Sequence, residues 1–351
     1  MSSSIHHTAI VALILFLSPF LCQAQALHPD EDHLLISRIA FGSCSNQNEE
    51  QPILNTIAAQ NPDLFIYLGD NVYGDTENMD KLREKYEKLG AKTEFQSLKN
   101  ACPIIATWDD HDYGVNDGGK EYDKKEESKK VMLDFFEEPA SSSRQQRTGI
   151  YTSYFFKDND RTLQVILIDN RTFRSPLCER KRAPKDMGSY WPCRDTCGTM
   201  LGDGQWFWLE QQLSLPADIR IIGTSTQFLA DFNGYEAWVN MPWERDKMLR
   251  IIQRTGAKGV FFISGDTHWA ELSKLEKIVD YPIYDMTSSG LTETWPSLGP
   301  NDLRLHEAYA EVNFGWIEID WSRPDPGISI QVRDIDGVVR IEKEVTLSNL
   351  Q

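Results

Sequence analysis

Short apolar runs that break off in clusters of glycine, aspartate and histidine constrain this chain more than any other feature. Ile39 to Phe41, Leu64 to Leu68, Ile104 to Trp108, Leu163 to Ile168, Ile219 to Gly223 and Val260 to Ile263 are rich in β-branched and aromatic residues. Several are apolar throughout, as strands buried on both faces are. Helical spacing of apolar residues lies between them at Ile53 to Ala59, Met79 to Leu89, Lys120 to Phe136, Gln205 to Leu213 and Trp243 to Gln253. This alternation predicts an α/β fold around a largely buried sheet. From Asn313 onward, further apolar runs with Asp336-Gly337 as a hairpin turn predict a second, antiparallel stretch of sheet. No internal repeat, low-complexity tract or linker breaks the series, so residues 27–351 are expected to form one domain with two sheets.

The first 26 residues point to a compartment. Ala9 to Cys22 is apolar except at Ser18 and Pro19, and Ala24 and Ala26 offer a cleavage site, so residues 1–26 read as a signal peptide. The run is shorter than the roughly 20 apolar residues a membrane anchor needs, and no later stretch is long enough to span. The chain is therefore expected to be secreted, without a stable membrane anchor. The net charge of −17, from 36 basic and 53 acidic residues, argues against a nucleic-acid platform or an anionic membrane surface. Cleavage after residue 26 leaves Cys44, Cys102, Cys178, Cys193 and Cys197, an odd number on an oxidising route. Cys178, Cys193 and Cys197 crowd the segment 175–204, which reads as a loop stapled by at least one bridge.

The chemistry lies where strands end: Gly42-Ser43-Cys44, Gly69-Asp70-Asn71-Val72-Tyr73, Trp108-Asp109-Asp110-His111-Asp112 and Ser264-Gly265-Asp266-Thr267-His268. In open α/β sheets ligands collect at the carboxyl ends of strands, so these four ends can meet in one crevice. Each cluster alone is also what a helix cap looks like. Together, Asp70, Tyr73, Asp110, Asp266, His268 and Cys44 supply the anionic set that two cations require. Only five histidines follow residue 26, too few for an imidazole-rich zinc pair. Thiolate, phenolate and carboxylate favour Fe(III) on the Cys/Tyr side and Ca²⁺, Mg²⁺ or Mn²⁺ on the carboxylate side. A small buried thiol remains the alternative role for Cys44.

These pieces, with Gly204-Gln205-Trp206-Phe207-Trp208-Leu209 and Gly265-Asp266-Thr267-His268-Trp269 in the same order, resemble the PhoD-like alkaline phosphatases of the calcineurin-like metallophosphoesterase superfamily, from about Arg38 to Thr287. The resemblance implies a four-layer α/β/β/α sandwich with two mixed sheets and phosphoester hydrolysis at an iron and calcium centre, with Mn²⁺, Mg²⁺ or Zn²⁺ as alternatives at the second site. It implies that Asp70 bridges the ions, that Cys44 and Tyr73 hold the iron, and that Asp110 serves the second ion. Asp266 and His268 stand where the superfamily has a His-x-His pair, one for each metal. Its usual Asp-x-His motif is missing, and Ser43-Cys44 stands near that position.

The expected reaction is in-line attack of a metal-bound hydroxide on a small phosphomonoester or phosphodiester, with His111 donating a proton to the leaving alkoxide. Asn116 and Arg171 are candidate substrate-binding residues: Asn116 for a phosphate oxygen, a metal shell or a helix cap, Arg171 for a phosphate fork or a salt bridge with a neighbour. Asn170 heads the sequon Asn170-Arg171-Thr172 beside the crevice. Trp206, Phe207 and Trp208 read as core, whereas Trp238, Trp269 and Trp295 are candidates for a pocket wall. Two other readings remain: a secreted non-catalytic metal-binding or recognition module on this scaffold, and a phospholipase-type phosphodiesterase. A monomer is expected.

Overall fold

The computed structural model describes residues 27–181, 188–231 and 234–351; the expected signal peptide lies outside them. Two mixed sheets dominate. One has six strands in the order Val339–Thr346, Gly327–Asp334, Asn313–Asp320, Arg38–Gly42, Leu64–Leu68, Ile104–Thr107. The other has seven, in the order Asp32–Leu34, Thr152–Asp158, Arg161–Leu167, Ile219–Thr224, Val260–Ser264, Ile283–Ser288, Ala270–Leu275. Arg38–Gly42, Leu64–Leu68 and Ile104–Thr107 run parallel, as do Arg161–Leu167, Ile219–Thr224, Val260–Ser264 and Ile283–Ser288.

Side-chain alternation along the strands explains the layering. Ile39, Phe41, Leu64, Ile66 and Leu68 share one buried cluster with Val165, Leu167, Ile221 and Phe262 of the seven-stranded sheet. Their neighbours Ala40, Phe65 and Tyr67 point the other way, into a cluster with Ile53 and Ile57 of helix Pro52–Ala59, Leu82 and Tyr86 of helix Met79–Gly90, and Met132 of helix Lys125–Phe135. Helices Gly202–Leu213 and Pro242–Thr255 bury Trp206, Leu209, Met248 and Ile252 on the seven-stranded sheet. The period-two pattern of fully apolar strands thus yields helix, sheet, sheet, helix: a four-layer α/β/β/α sandwich.

The structure changes several expectations. The C-terminal antiparallel strands are not a sheet of their own: Asn313–Asp320 pairs antiparallel with Arg38–Gly42 and extends the N-terminal sheet. The charged helix begins at Lys125, not Lys120. Trp238 is fully buried in the core, and Phe207 is exposed while Trp206 is buried. Asn170 is buried too, with its Oδ1 accepting from Thr224 Oγ1 at 2.9 Å, so the folded chain offers the sequon no room for a glycan.

The cysteine-rich loop is stapled by Cys178–Cys193, and Cys44, Cys102 and Cys197 are free thiols. A bridge of sequence separation 15 restricts the unfolded chain by about 3 kcal/mol. Replacing Cys178 and Cys193 together by serine is expected to lower the unfolding free energy by about that amount in urea titrations; an unchanged midpoint would count against this role.

Candidate metal centre

Six strand ends, three from each sheet, deliver the site. Arg38–Gly42, Leu64–Leu68 and Ile104–Thr107 lead into Cys44, Asp70 and Asp109-Asp110; Arg161–Leu167, Ile219–Thr224 and Val260–Ser264 lead into Arg171, Ser225 and Asp266. The turns touch through backbone. Ser45 N donates to the Asp70 carbonyl at 2.9 Å, Gly74 N to the His111 carbonyl at 3.0 Å, and Gly265 N to the Ser225 carbonyl at 3.1 Å. Two glycines permit this closeness. A Cβ on Gly69, at φ +106°, would lie 2.5 Å from the Asp109 Cβ, and one on Gly265 would lie 2.5 Å from Ser43 Oγ.

Strain marks the same place. Ten described non-glycine residues have positive φ, and six of them are here: Cys44, Asp70, Asp266 and His268 among the expected ligands, with Asp75 and Asp117 beside them. Such conformations cost about 1–3 kcal/mol each and persist where the surroundings impose them, which is commonly at functional sites.

The expected acids converge, and Cys44 lies against one of them, Asp70; among the described residues neither Cys44 nor His268 joins the clusters of candidate ligand atoms. Cys44 Sγ lies 3.3 Å from Asp70 Oδ2 and 3.1 Å from Ser289 Oγ, and it is fully buried. Carboxylate oxygens of Asp70, Asp109, Asp110 and Asp266 lie within 4.8 Å of one another, and a His111 nitrogen joins Asp70 and Asp110 within the same distance. The Tyr73 ring packs on His111 at 4.3 Å between centroids. Asp70 Oδ1, Asp110 Oδ1, Tyr73 Oη and His268 Nδ1 are all buried without a hydrogen-bond partner. Native proteins leave few buried polar atoms unsatisfied, and these four, on four expected ligands, fit the coordination of cations, which would satisfy oxygen and nitrogen donors together.

Electrostatics agree. Burial, then the neighbouring carboxylates, push Asp70 and Asp266 well above the usual carboxylate range. Burial likewise raises the Cys44 thiol, with Asp70 adding to it, and the Tyr73 phenol, with Cys44 and Asp70 adding to it. Burial would raise Asp110, but the Arg171 and His111 charges, with backbone N–H groups of Asp117 and His111 that donate to it, together hold it low. A cation would reverse the cost for every one of the raised groups.

His111 has a partner that the sequence reading missed. Its Nδ1 lies 2.6 Å from Asp75 Oδ1, and against the opposing effect of burial this contact, with the charges of Asp70 and Asp110, pushes the imidazole up to about 10. Asp75 follows Asp70 by five residues, a signal available in the sequence. Asp109 and Ser289 were also missed; only Asp109, adjacent to Asp110, carried a hint.

Of the two roles open to Arg171, the structure gives the salt bridge. Its guanidinium is fully buried, 2.6 Å from Asp109 and 2.6 Å from Glu236, and Glu236 also meets Arg174 at 3.0 Å. Arg171 does not line the cavity of about 290 Å³ that opens over the centre, whereas Asn116 does, together with Asp110, His111, Asp266 and His268. Asn116 does not cap the helix that follows, since that helix starts nine residues beyond it, at Lys125, with Lys124 at its N-cap. Tyr190 of the stapled loop, Tyr235, Trp269 and Trp295 complete much of the wall.

The model of the PhoD-like phosphatase family matches residues 39–297. No curated protein matches the chain in sequence. Among solved structures, one titled as PhoD superposes with a TM-score of 0.69 at 16% identity over 91% of this chain and 72% of its own. A dimetal phosphatase from Danio rerio superposes at 0.55, with 13% identity over 89% and 99% of the two chains. GAP50, described as the anchor in the inner membrane complex of Plasmodium, superposes at 0.57, with 12% identity over 90% and 89%. These structures share the fold. With the family model covering most of its length, and with a cluster of acids that fits metal ions at its strand ends, the chain belongs to the PhoD-like phosphatases and is a metal-dependent phosphoric ester hydrolase.

Proposed function

We propose that the chain is a secreted hydrolase of small phosphomonoesters or phosphodiesters, working at an iron(III) and calcium centre. The observation that carries the proposal is the set of four buried, unpartnered donor atoms on Asp70, Asp110, Tyr73 and His268 beside the free Cys44 thiol. Cys44 and Tyr73 would hold iron, since thiolate and phenolate suit a trivalent ion, with Asp70 shared between both ions. Asp110 would serve the second ion, with Asp266 and His268 one for each. When bound, the two cations activate water and neutralise the phosphate charge.

The remaining steps fall to the chain's own residues. Asp75 fixes the His111 ring through Nδ1 and keeps it an imidazolium, so that Nε2 can give a proton to the departing oxygen. Arg171 neutralises Asp109 and ties it to Glu236, holding the wall of the cavity in place. Asn116 offers its carboxamide to a phosphate oxygen or to a metal shell. A non-catalytic scaffold, such as the anchor role described for GAP50 would suggest, would have no use for a proton donor held in this way. The Cys178–Cys193 bridge supports an oxidising, extracellular destination, and among the described residues no helix is long and apolar enough to cross a membrane.

Hydrolysis of p-nitrophenyl phosphate and its bis-ester is expected to vanish on chelation and to fall by about 100-fold or more in Asp70→Asn, the scale of several kcal/mol of lost charge stabilisation. Activity that survives both treatments would refute the proposal. In the metal-free protein, Asp75→Asn removes the contact that raises His111, so its pKa, followed by NMR of the imidazole protons, is expected to drop clearly below about 10; an unmoved titration would show that Asp75 is not its partner.

A further inference from the structure

The cavity has an aromatic side to which the hydrolytic reading assigns no task. Trp295 lines it while remaining 42% exposed. The residue is fixed to an expected metal ligand twice over. Its backbone N–H donates to the His268 carbonyl at 2.9 Å, and its indole stacks on the His268 imidazole at 5.0 Å between centroids, with the planes 21° apart. Tyr235 meets the indole edge-on at 5.5 Å. A large apolar ring held rigidly and left partly open beside a reaction centre costs little side-chain entropy when a ligand covers it.

The charges around the cavity narrow what that ligand is. Among the described residues that line it there is no lysine or arginine. Of the acids that line it, Asp110 and Asp266 are expected metal ligands, Asp117 accepts from Tyr190 Oη at 2.6 Å, and Glu236 is paired with Arg171 and Arg174. The wall away from the metal ligands therefore offers π surface from Tyr190, Tyr235 and above all Trp295, with Trp269 buried behind it. A second anionic group finds no cationic side chain among the described lining residues, whereas a planar ring finds a stacking face.

We infer that the ester substituent of the substrate is a planar aromatic group that stacks on Trp295, which makes Trp295 a specificity-determining residue. The inference rests on the hydrolytic reading for its location and adds the class of substrate.

The test uses the metal-loaded protein and two phosphonates that resist hydrolysis, benzylphosphonate and its saturated counterpart cyclohexylmethylphosphonate, with dissociation constants from titration calorimetry. The wild-type protein is expected to prefer the benzyl compound. Trp295→Ala is expected to weaken benzylphosphonate about tenfold, within the range of single aromatic stacking contacts, and the cyclohexyl compound by less than about twofold. Trp295→Phe, which restores a smaller ring, is expected to recover most of the loss. Equal losses for both ligands, no loss for either, or no binding of benzylphosphonate to the wild-type protein would overturn the inference. A failure of the hydrolytic reading appears separately, as absence of p-nitrophenyl phosphate turnover by the wild-type protein, because the phosphonate measurement reads binding alone.

Discussion

Crowding of buried carboxylates governs this molecule. Asp70, Asp109, Asp110 and Asp266 bring oxygens within 4.8 Å of one another, the first three buried and Asp266 partly so at the floor of the cavity. Two unit charges 4 Å apart repel by about 4 kcal/mol at the effective dielectric found near protein surfaces, so four such groups cannot all ionise without cations among them. The chain supplies some of these itself. Arg171 pairs with Asp109, against a burial that still holds that carboxyl raised, and lowers Asp110, and the His111 imidazolium, held by Asp75, adds a further positive charge. What remains, on Asp70, Asp109 and Asp266 and on the adjoining thiol and phenol, is the deficit that metal ions fill.

The fold exists to hold that deficit in place. Strand ends of two different sheets are pressed together over one core, in which Ile39, Phe41, Ile66, Val165 and Ile221 are fully buried. Burying a large aliphatic side chain contributes about 1.5–3 kcal/mol, and many such residues offset the strained backbone of Cys44, Asp70, Asp266 and His268. Behind the turns, Asp112 binds the pieces together. It accepts from Asn71 Nδ2 at 2.5 Å, from Tyr86 Oη at 3.2 Å and from Asp109 N at 2.7 Å, linking the turn that carries Asp70 to the one that carries Asp110. Burial nevertheless raises its own carboxyl to about 7.

Much of this was legible in the sequence because the strands that deliver the site are apolar on both faces and end in short polar motifs. Strands whose buried positions are polar stayed hidden. Ala270–Leu275 places Glu271 inside, where Arg304, Gln227 and Asn301 satisfy it, and Ile283–Ser288 places Asp285 there, bonded to Phe228 N, Leu229 N and Ser264 Oγ. An interior network of this kind erases the hydrophobic pattern by which a strand is recognised. The pairing of Asn313–Asp320 with Arg38–Gly42 spans most of the chain and leaves no local trace. At the site, the Asp, Cys, Tyr and His residues could be named from their motifs. The commitment of Arg171 to Asp109 and Glu236 could not, because it depends on a segment that folds back from residues far along the chain.

Elemental analysis of the purified, exhaustively dialysed protein tests the central claim most directly. The account predicts two metal ions per chain, one of them iron, with the iron lost when Cys44 and Tyr73 are both replaced, by serine and phenylalanine. A protein that retains no stoichiometric metal, or whose iron content is indifferent to Cys44 and Tyr73, would contradict it.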